Sequence, residues 1–172
     1  YDAVIWAVGR RPNTEALGLS AVGVTVQPNG VVPVDDFQNT NVAGVYAVGD
    51  ITGRIPLTPV AIGAGRRLAE RLFGHQPGAR MDYTLVPSVV FAHPPVGTMG
   101  LTEPQAREHH GDSITVYETR FTPMRSALAR HTRTTAMKLV CAGPEPRVVG
   151  LHPVGDGSAE MLPGFAVTCK MW

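Results

Sequence analysis

The sequence predicts an α/β first part followed by an α+β second part, and three observations carry that expectation. Two apolar runs of strand length, Asp2–Gly9 and Gly44–Asp50, precede a well-signalled helix in the first half, a pattern suited to strands covered on both faces. The second half reads as several strands around one short capped helix, with a hairpin-like turn between the last two strands. Between the halves, His75–Tyr83 (HQPGARMDY) has the composition of a linker, which sets a domain boundary near Tyr83. The chain has 172 residues, 15 Lys+Arg against 14 Asp+Glu, 44% hydrophobic residues and 17% charged, enough for one full core or two small ones and too apolar for disorder. A net charge of +1 supplies no electrostatic reason to expect nucleic acid or an anionic membrane as partner. The longest apolar run, Ala3–Val8, is far short of the roughly 20 residues that span a bilayer.

In the first half, DAVIWAVG reads as a buried strand ending at Gly9, with Arg10-Arg11-Pro12-Asn13 as a polar turn. Two extended stretches are expected at Val22–Gln27 and Val31–Val34 around the turn Pro28-Asn29-Gly30, and a buried strand at Gly44–Asp50. A helix is expected from about Pro59 to Phe73. Thr58 suits its N-cap, Pro59 its first position and Gly74 its stop. Ala61, Gly63, Ala64 and Gly65 would allow close approach, while Arg66, Arg67, Glu70 and Arg71 would form the polar face.

In the second half a strand is expected at Val86–Ala92. Thr102 and Gln105 form a capping box opening a helix that ends near Gly111. Strands follow at about Ser113–Thr119, Ala136–Ala142 and Arg147–Leu151, the last two joined by Gly143-Pro144-Glu145-Pro146, and a final helix begins near Ser158.

The candidate site lies around Asp50. A carboxylate at the carboxyl edge of a parallel sheet stands where such sheets bind ligands, and Gly49 would let a ligand lie against the backbone. From Gly-Asp alone, a simple turn is the commoner reading. The N-terminus of the helix at Leu57-Thr58-Pro59 adds positive dipole and free N–H groups, so the two together could hold a polyhydroxyl chain and an electron-rich ring. Cys141 and Cys169 show no redox or metal spacing and read as buried thiols of a reducing compartment. His93 reads as shaping a loop, and His109-His110 as suiting a helix end. All six histidines are read as structural, and no metal site is expected.

Several long stretches carry a resemblance. TNVAGVYAVGDITGRIPLTPVAIGAGRRLAERLFG and VIWAVGRRPNT resemble the second flavin-binding segment and the preceding strand of the pyridine-nucleotide disulfide oxidoreductases. VPSVVFAHPPVGTMGLTEPQA, FTPMRSALARHTRTTAMKLVCAG and VVGLHPVGDGSAEMLPGFAVTCKM resemble the branch of that family that reduces glutathione disulfide. The resemblance runs over essentially the whole chain. It implies that residues 1–13 finish an NADPH-binding domain, 14–83 complete an FAD-binding domain, and 84–172 form most of a dimerisation domain. It further implies that Asp50 binds the FAD ribityl chain and that Leu57 and Thr58 face the flavin ring. Gly9 and Val89 would lie beside NADPH, and Arg66 would hold a carboxylate of glutathione, for which a guanidinium fork is apt. Without the resemblance, Arg66 would read as a solvated helix position. A homodimer is implied, with hydride passing from NADPH to FAD and electrons then reaching a cysteine pair and glutathione disulfide.

No glycine-rich dinucleotide fingerprint, no Cys-x4-Cys pair and no His-Pro-Thr stretch with its acidic partner occurs in the sequence, so no catalytic residue is expected within it. Both ends read as interior to a longer polypeptide, since Tyr1 opens on a strand under way and Trp172 ends an apolar-periodic segment. Pro163 stands where the family usually has Gln, and Trp172 where it usually has Gly. The expected parent is a cytoplasmic FAD-dependent NADPH:glutathione-disulfide oxidoreductase, the fragment alone being inactive. The alternatives are a trypanothione- or dihydrolipoyl-type reductase, or a remnant that only dimerises.

Overall fold

A computed structural model describes residues 2–127 and 133–171, so Tyr1, His131 and Trp172 lie outside the described residues. The chain divides into two compact units, Tyr1–Asp82 and Tyr83–Trp172.

The first unit contains three short 3-10 turns, at Glu15–Leu17, Leu19–Val22 and Gly49–Thr52, and one long helix, α1 (Thr58–Phe73). Its core gathers Val24, Val32 and Ala47, with Leu19, Val34, Val42, Val45 and Ile51 packed around them. The expected strands do not form here. Residues 2–10 carry no strand, and Val4, Ile5, Trp6 and Val8 are all at least 75% exposed. Val22–Gln27 and Val31–Val34 likewise form no strand; their backbone bonds are isolated ones, such as Gln27 N–H to the Val31 carbonyl at 2.8 Å, Val24 N–H to the Leu19 carbonyl at 3.0 Å and Val32 N–H to the Ile51 carbonyl at 2.9 Å. Gly44–Asp50 contributes a single bridge, Asn39 to Tyr46, flanked by Ala47 N–H to Gln38 carbonyl at 3.2 Å and Thr40 N–H to Val45 carbonyl at 3.1 Å. The physical reason is that a strand is a relation between two chains' backbones. An apolar run becomes one only where a neighbouring strand takes up its N–H and C=O groups.

Helix α1 forms where its signals place it, with one correction. Leu57, not Thr58, is the N-cap: Leu57 is extended (φ −124, ψ 132), and its carbonyl accepts from both Val60 and Ala61 N–H at 3.0 Å. Gly74 closes the helix, its N–H reaching the Glu70 carbonyl at 2.9 Å; a Cβ there would sit 2.8 Å from that oxygen.

The second unit is a five-stranded antiparallel sheet in the order β1-β2-β5-β4-β3. The strands are β1 (Ser88–Val90), β2 (Val96–Gly100), β3 (Ile114–Phe121), β4 (Thr135–Ala142) and β5 (Arg147–Val154). The helices are α2 (Glu103–His110), α3 (Met124–Ala127) and α4 (Ser158–Lys170). The expected strand at Val86–Ala92 shortens to β1, because β2 pairs only with Ser88, Val89 and Val90. Strand β2 and the single turn α3 have no counterpart in the sequence reading; VGTMG lacks both a β-rich composition and a clean alternation.

Side-chain alternation assigns the two faces of the sheet. Met99, Leu151 and Leu139 pack with Leu162 and Ala166 of α4, and Val89 and Cys169 join them. The neighbouring positions Thr98, His152 and Lys138 therefore face the other way, where Lys138 meets Glu103 of α2 at 2.6 Å. Helix α4 buries Ser158, Leu162 and Ala166, a stripe of period four along one face. Pro163 lies on its exposed side, and the helix runs through it from Ser158 to Lys170. Strand β5 likewise continues past its expected end at Leu151 and through Pro153. Gly97 on β2 leaves room for the ring: a Cβ at Gly97 would lie 3.1 Å from Pro153 Cγ and 3.2 Å from Leu162 Cδ2.

On the opposite face, β5 fixes the start of α2. His152 Nε2 lies 3.0 Å from the Leu101 carbonyl oxygen, which needs a donor, and its Nδ1 lies 2.8 Å from Thr98 Oγ1. The same carbonyl would be 2.0 Å from a Cβ on Gly150. Thr102 follows as N-cap, its N–H donating to Gln105 Oε1 at 3.0 Å in the expected capping box. Because the obstructing atom is backbone, it cannot swing aside as a side-chain tip could. Gly150→Ala is therefore expected to destabilise the chain by about 3 kcal/mol, the upper part of the range for overpacking; a fall in the urea midpoint without change in slope is the measurement that checks it.

Candidate functional site

Gly49 opens the turn that carries Asp50. Its φ of +79 is left-handed, and a Cβ added to it would meet Ala61 Cβ of α1 at 3.3 Å. The turn thus packs directly against the N-terminal part of the helix. Three bonds hold it: Thr52 Oγ1 to the Gly49 carbonyl at 2.7 Å, Gly53 N–H to the Asp50 carbonyl at 3.1 Å, and Val32 N–H to the Ile51 carbonyl at 2.9 Å. The Asp50 side chain is 51% exposed, and its only ion pair among the described residues is a long one, 3.9 Å to Arg10. A carboxylate so placed is free to accept hydrogen bonds from hydroxyl groups.

The structure brings Asp50 together with the start of α1, where Leu57 is half-buried and Thr58 exposed. The helix end offers fewer donors than its sequence suggests. Pro59 has no N–H, and the Val60 and Ala61 amides are spent on the Leu57 carbonyl, which leaves the Thr58 amide as the first-turn donor that the helix does not consume. Gly9 has a φ of +107 and no atom within 4 Å of where a Cβ would stand. Arg66 is exposed on α1 about 12 Å beyond Thr58 at 1.5 Å per residue, and makes no ion pair among the described residues, whereas Arg67 pairs with Glu70 at 2.7 Å. Val89 belongs to the other unit, where its side chain packs half-buried against the α4 cluster.

One arginine departs from the sequence reading. Arg71 is not part of a solvated face. It is half-buried, and its Nη2 donates to the Phe37 carbonyl at 2.8 Å and to Asn39 Oδ1 at 2.9 Å. Its guanidinium stands 5.8 Å from the Phe37 ring centroid and 5.5 Å from that of Tyr46, within cation–π range. The loop it grips is organised by Asp35, whose Oδ1 accepts from the Phe37 and Asn39 amides at 2.8 and 2.9 Å and whose Oδ2 accepts from Asn39 Nδ2 at 2.8 Å. The sequence signal for this cluster was the Asp-x-x-x-Asn spacing of an Asx-type turn.

Neither cysteine is a dithiol candidate. Both are free, and burial pushes both thiols up, Cys141 further under the influence of Cys169, so both stay protonated near neutrality. Cys169 is only half-buried. Among the described residues no group of three His, Cys, Asp or Glu could hold a metal ion. His93 adjoins a cis peptide bond with Pro94, and His109 and His110 lie in the last turn of α2.

Residues 86–172 match the pyridine nucleotide-disulphide oxidoreductase dimerisation domain, and residues 1–65 match the pyridine nucleotide-disulphide oxidoreductase domain. A glutathione reductase of Schizosaccharomyces pombe (strain 972 / ATCC 24843) is 51% identical over 173 residues, an alignment that covers 99% of this chain and 37% of that protein.

Asp35 generates a pH prediction. Burial alone would raise its pKa, but the Asn39 side chain, the Asn39 and Phe37 amides and the Arg71 charge together hold it below the ordinary 3.8. A depressed folded value means that the charged carboxylate stabilises the fold above that ordinary value, and that the stabilisation is lost as pH falls through the folded one. The denaturation midpoint of Asp35→Asn should therefore lie below that of wild type near neutrality. The gap should close as the buffer is taken from pH 3.8 downward.

Proposed function

The chain belongs to the pyridine nucleotide-disulphide oxidoreductase family, and we propose that it is part of an FAD-dependent enzyme that uses NADPH to reduce glutathione disulfide. The 51% identity to a glutathione reductase supports that substrate over trypanothione or a dihydrolipoyl group; the chain spans 37% of that relative's length. The single observation that carries the reading is the packing of the Asp50 turn against the start of α1 through Gly49.

The residues present fit a flavin. Gly49 seats the turn against Ala61, Asp50 keeps a half-exposed carboxylate, and the start of α1 presents the Thr58 amide and the Leu57 side chain. When bound, FAD would accept hydride from NADPH and pass electrons to a disulfide. Asp50 would hold the ribityl hydroxyls, and Leu57 and Thr58 would face the ring, where the positive end of α1 favours negative charge. Arg66 would clamp a glutathione carboxylate, consistent with its making no ion pair among the described residues. Gly9 and Val89 would lie beside NADPH, Val89 through its backbone, since its side chain packs in the core. Residues 1–13 would then finish the NADPH domain, 14–83 complete the FAD domain, and 84–172 form the dimerisation domain. A homodimer is supported by the outer side of α4, where Phe165 is 53% and Val167 62% exposed. Two free thiols suit a reducing compartment such as the cytoplasm, and no helix among the described residues is long and apolar enough to cross a membrane.

The tests follow from the roles. In the full-length parent, Asp50→Ala should weaken FAD binding by about one to two decades, the loss of a hydrogen bond to a charged group. Stoichiometric FAD after exhaustive dialysis, with unchanged affinity, would refute that role. Arg66→Ala should raise KM for glutathione disulfide by about 30- to 150-fold and leave KM for NADPH nearly unchanged, with Arg66→Lys recovering little because it lacks the planar fork. These 172 residues alone, supplied with FAD, NADPH and glutathione disulfide, should give a flat NADPH absorbance trace. Turnover that survives replacement of both cysteines by serine would place the chemistry in residues assigned here to scaffold.

A further inference from the structure

We propose that Arg71 is a positioning residue for the flavin site, acting through the segment that delivers Asp50; the inference rests on the FAD reading above. The segment leading from Tyr46 to Asp50 meets α1 at two places. At one end Gly49 lies against Ala61, within the first turn and a half of the helix. At the other, Arg71 in the last turn stands over the Tyr46 ring and holds Asn39, the bridge partner of Tyr46. The two anchor residues on α1, ten positions apart, are separated by about 15 Å along the helix axis.

A helix held at one point can pivot about it, and a pivot at Gly49 would move Leu57 and Thr58 relative to Asp50. Buried Val60 and Ala64 and the Met81 contact at Gly63 seat the middle of α1, and the second anchor limits the pivot at its far end. The Arg71 guanidinium makes two hydrogen bonds from one nitrogen and stands within cation–π distance of two rings. Its partners are fixed in turn by Asp35, which accepts three hydrogen bonds from residues 37 and 39. Among the described residues the buried Nε of Arg71 has no hydrogen-bond partner. Burying a polar atom unpaired is costly, so the site keeps the guanidinium in spite of an imperfect hydrogen-bond match. What it gains is a rigid link from the far end of α1 to the strand-like segment that ends in Asp50.

The experiment compares wild-type, Arg71→Met and Arg71→Lys full-length parent, stripped of FAD, by titrating FAD and following the quenching of its fluorescence. All titrations are run well below the unfolding temperature of each variant, with folding checked by far-UV circular dichroism. Arg71→Met should raise the FAD Kd about tenfold, within the usual range of coupling between sites, and Arg71→Lys should raise it less because it keeps the charge over the rings but loses the fork. Combined with Asp50→Ala, Arg71→Met should add less than its own single effect, since the carboxylate it positions is gone. A residue that only stabilised the fold would lower the unfolding temperature and leave Kd unchanged, and that result overturns the proposal; if Arg71→Met does not fold, an unchanged Kd in Arg71→Lys does the same. Full additivity with Asp50→Ala also overturns it. Wild-type protein that binds no FAD would remove the FAD reading itself, whereas normal binding by wild type and both variants removes only the role of Arg71.

Discussion

The close approach at Gly49 is the constraint on which the placement of Asp50 beside α1 depends. A left-handed φ turns the chain sharply at the end of an extended segment, and the absence of a side chain lets the turn settle against Ala61. A Cβ at this position would stand 3.3 Å from Ala61 Cβ in a backbone conformation that L side chains rarely adopt, so a larger residue would strain the turn where it seats against α1. The small residues of α1 serve the same end elsewhere: Gly63 receives Met81 of the same unit, whose sulfur would lie 3.1 Å from a Cβ.

The second unit solves a different problem. Its sheet must carry an apolar face for α4 and a polar face for α2, and the alternation along β2, β4 and β5 does both. On the polar face, Glu103 joins Lys138 and Arg107, and their hydrogen bonds, the Lys138 one foremost, hold its carboxyl below the usual range. Glu103 and Lys138 are half-buried and Arg107 is exposed, and the value of such pairs lies in orienting α2 more than in stability. The stronger determinant is steric, the Leu101 carbonyl held between Gly150 and His152.

How much of the site was legible depends on how local its signals were. Asp50, Leu57 and Thr58 came from a strand-like run and a helix start eight residues apart, and the structure packs those two features together. Arg66 and Arg71 show where the reading stops. Both are charged residues on one helix, and periodicity treats them alike. What separates them is the Phe37–Tyr46 loop, whose nearest contact is more than twenty residues earlier in the chain. No spacing within the helix announces that a ring and a carbonyl will be waiting for one guanidinium and not for the other.

The sequence by itself determined the features written in contacts of three or four residues: the Gly74 stop of α1, the Thr102–Gln105 box of α2, and the stripe of α4. It also marked β3, β4 and β5, which are consecutive in the chain and neighbours in the sheet, β4 and β5 joined by a four-residue turn. Tertiary structure alone decided the rest. Apolar runs in the first unit formed no strands beyond one isolated bridge, because strand formation requires a partner's backbone, which hydrophobicity does not encode. Strand β5 runs through Pro153 because a glycine on β2, more than fifty residues earlier, leaves the ring its space. Helices are settled by neighbours along the chain; strands, close approaches and the burial of a charge are settled by neighbours in space.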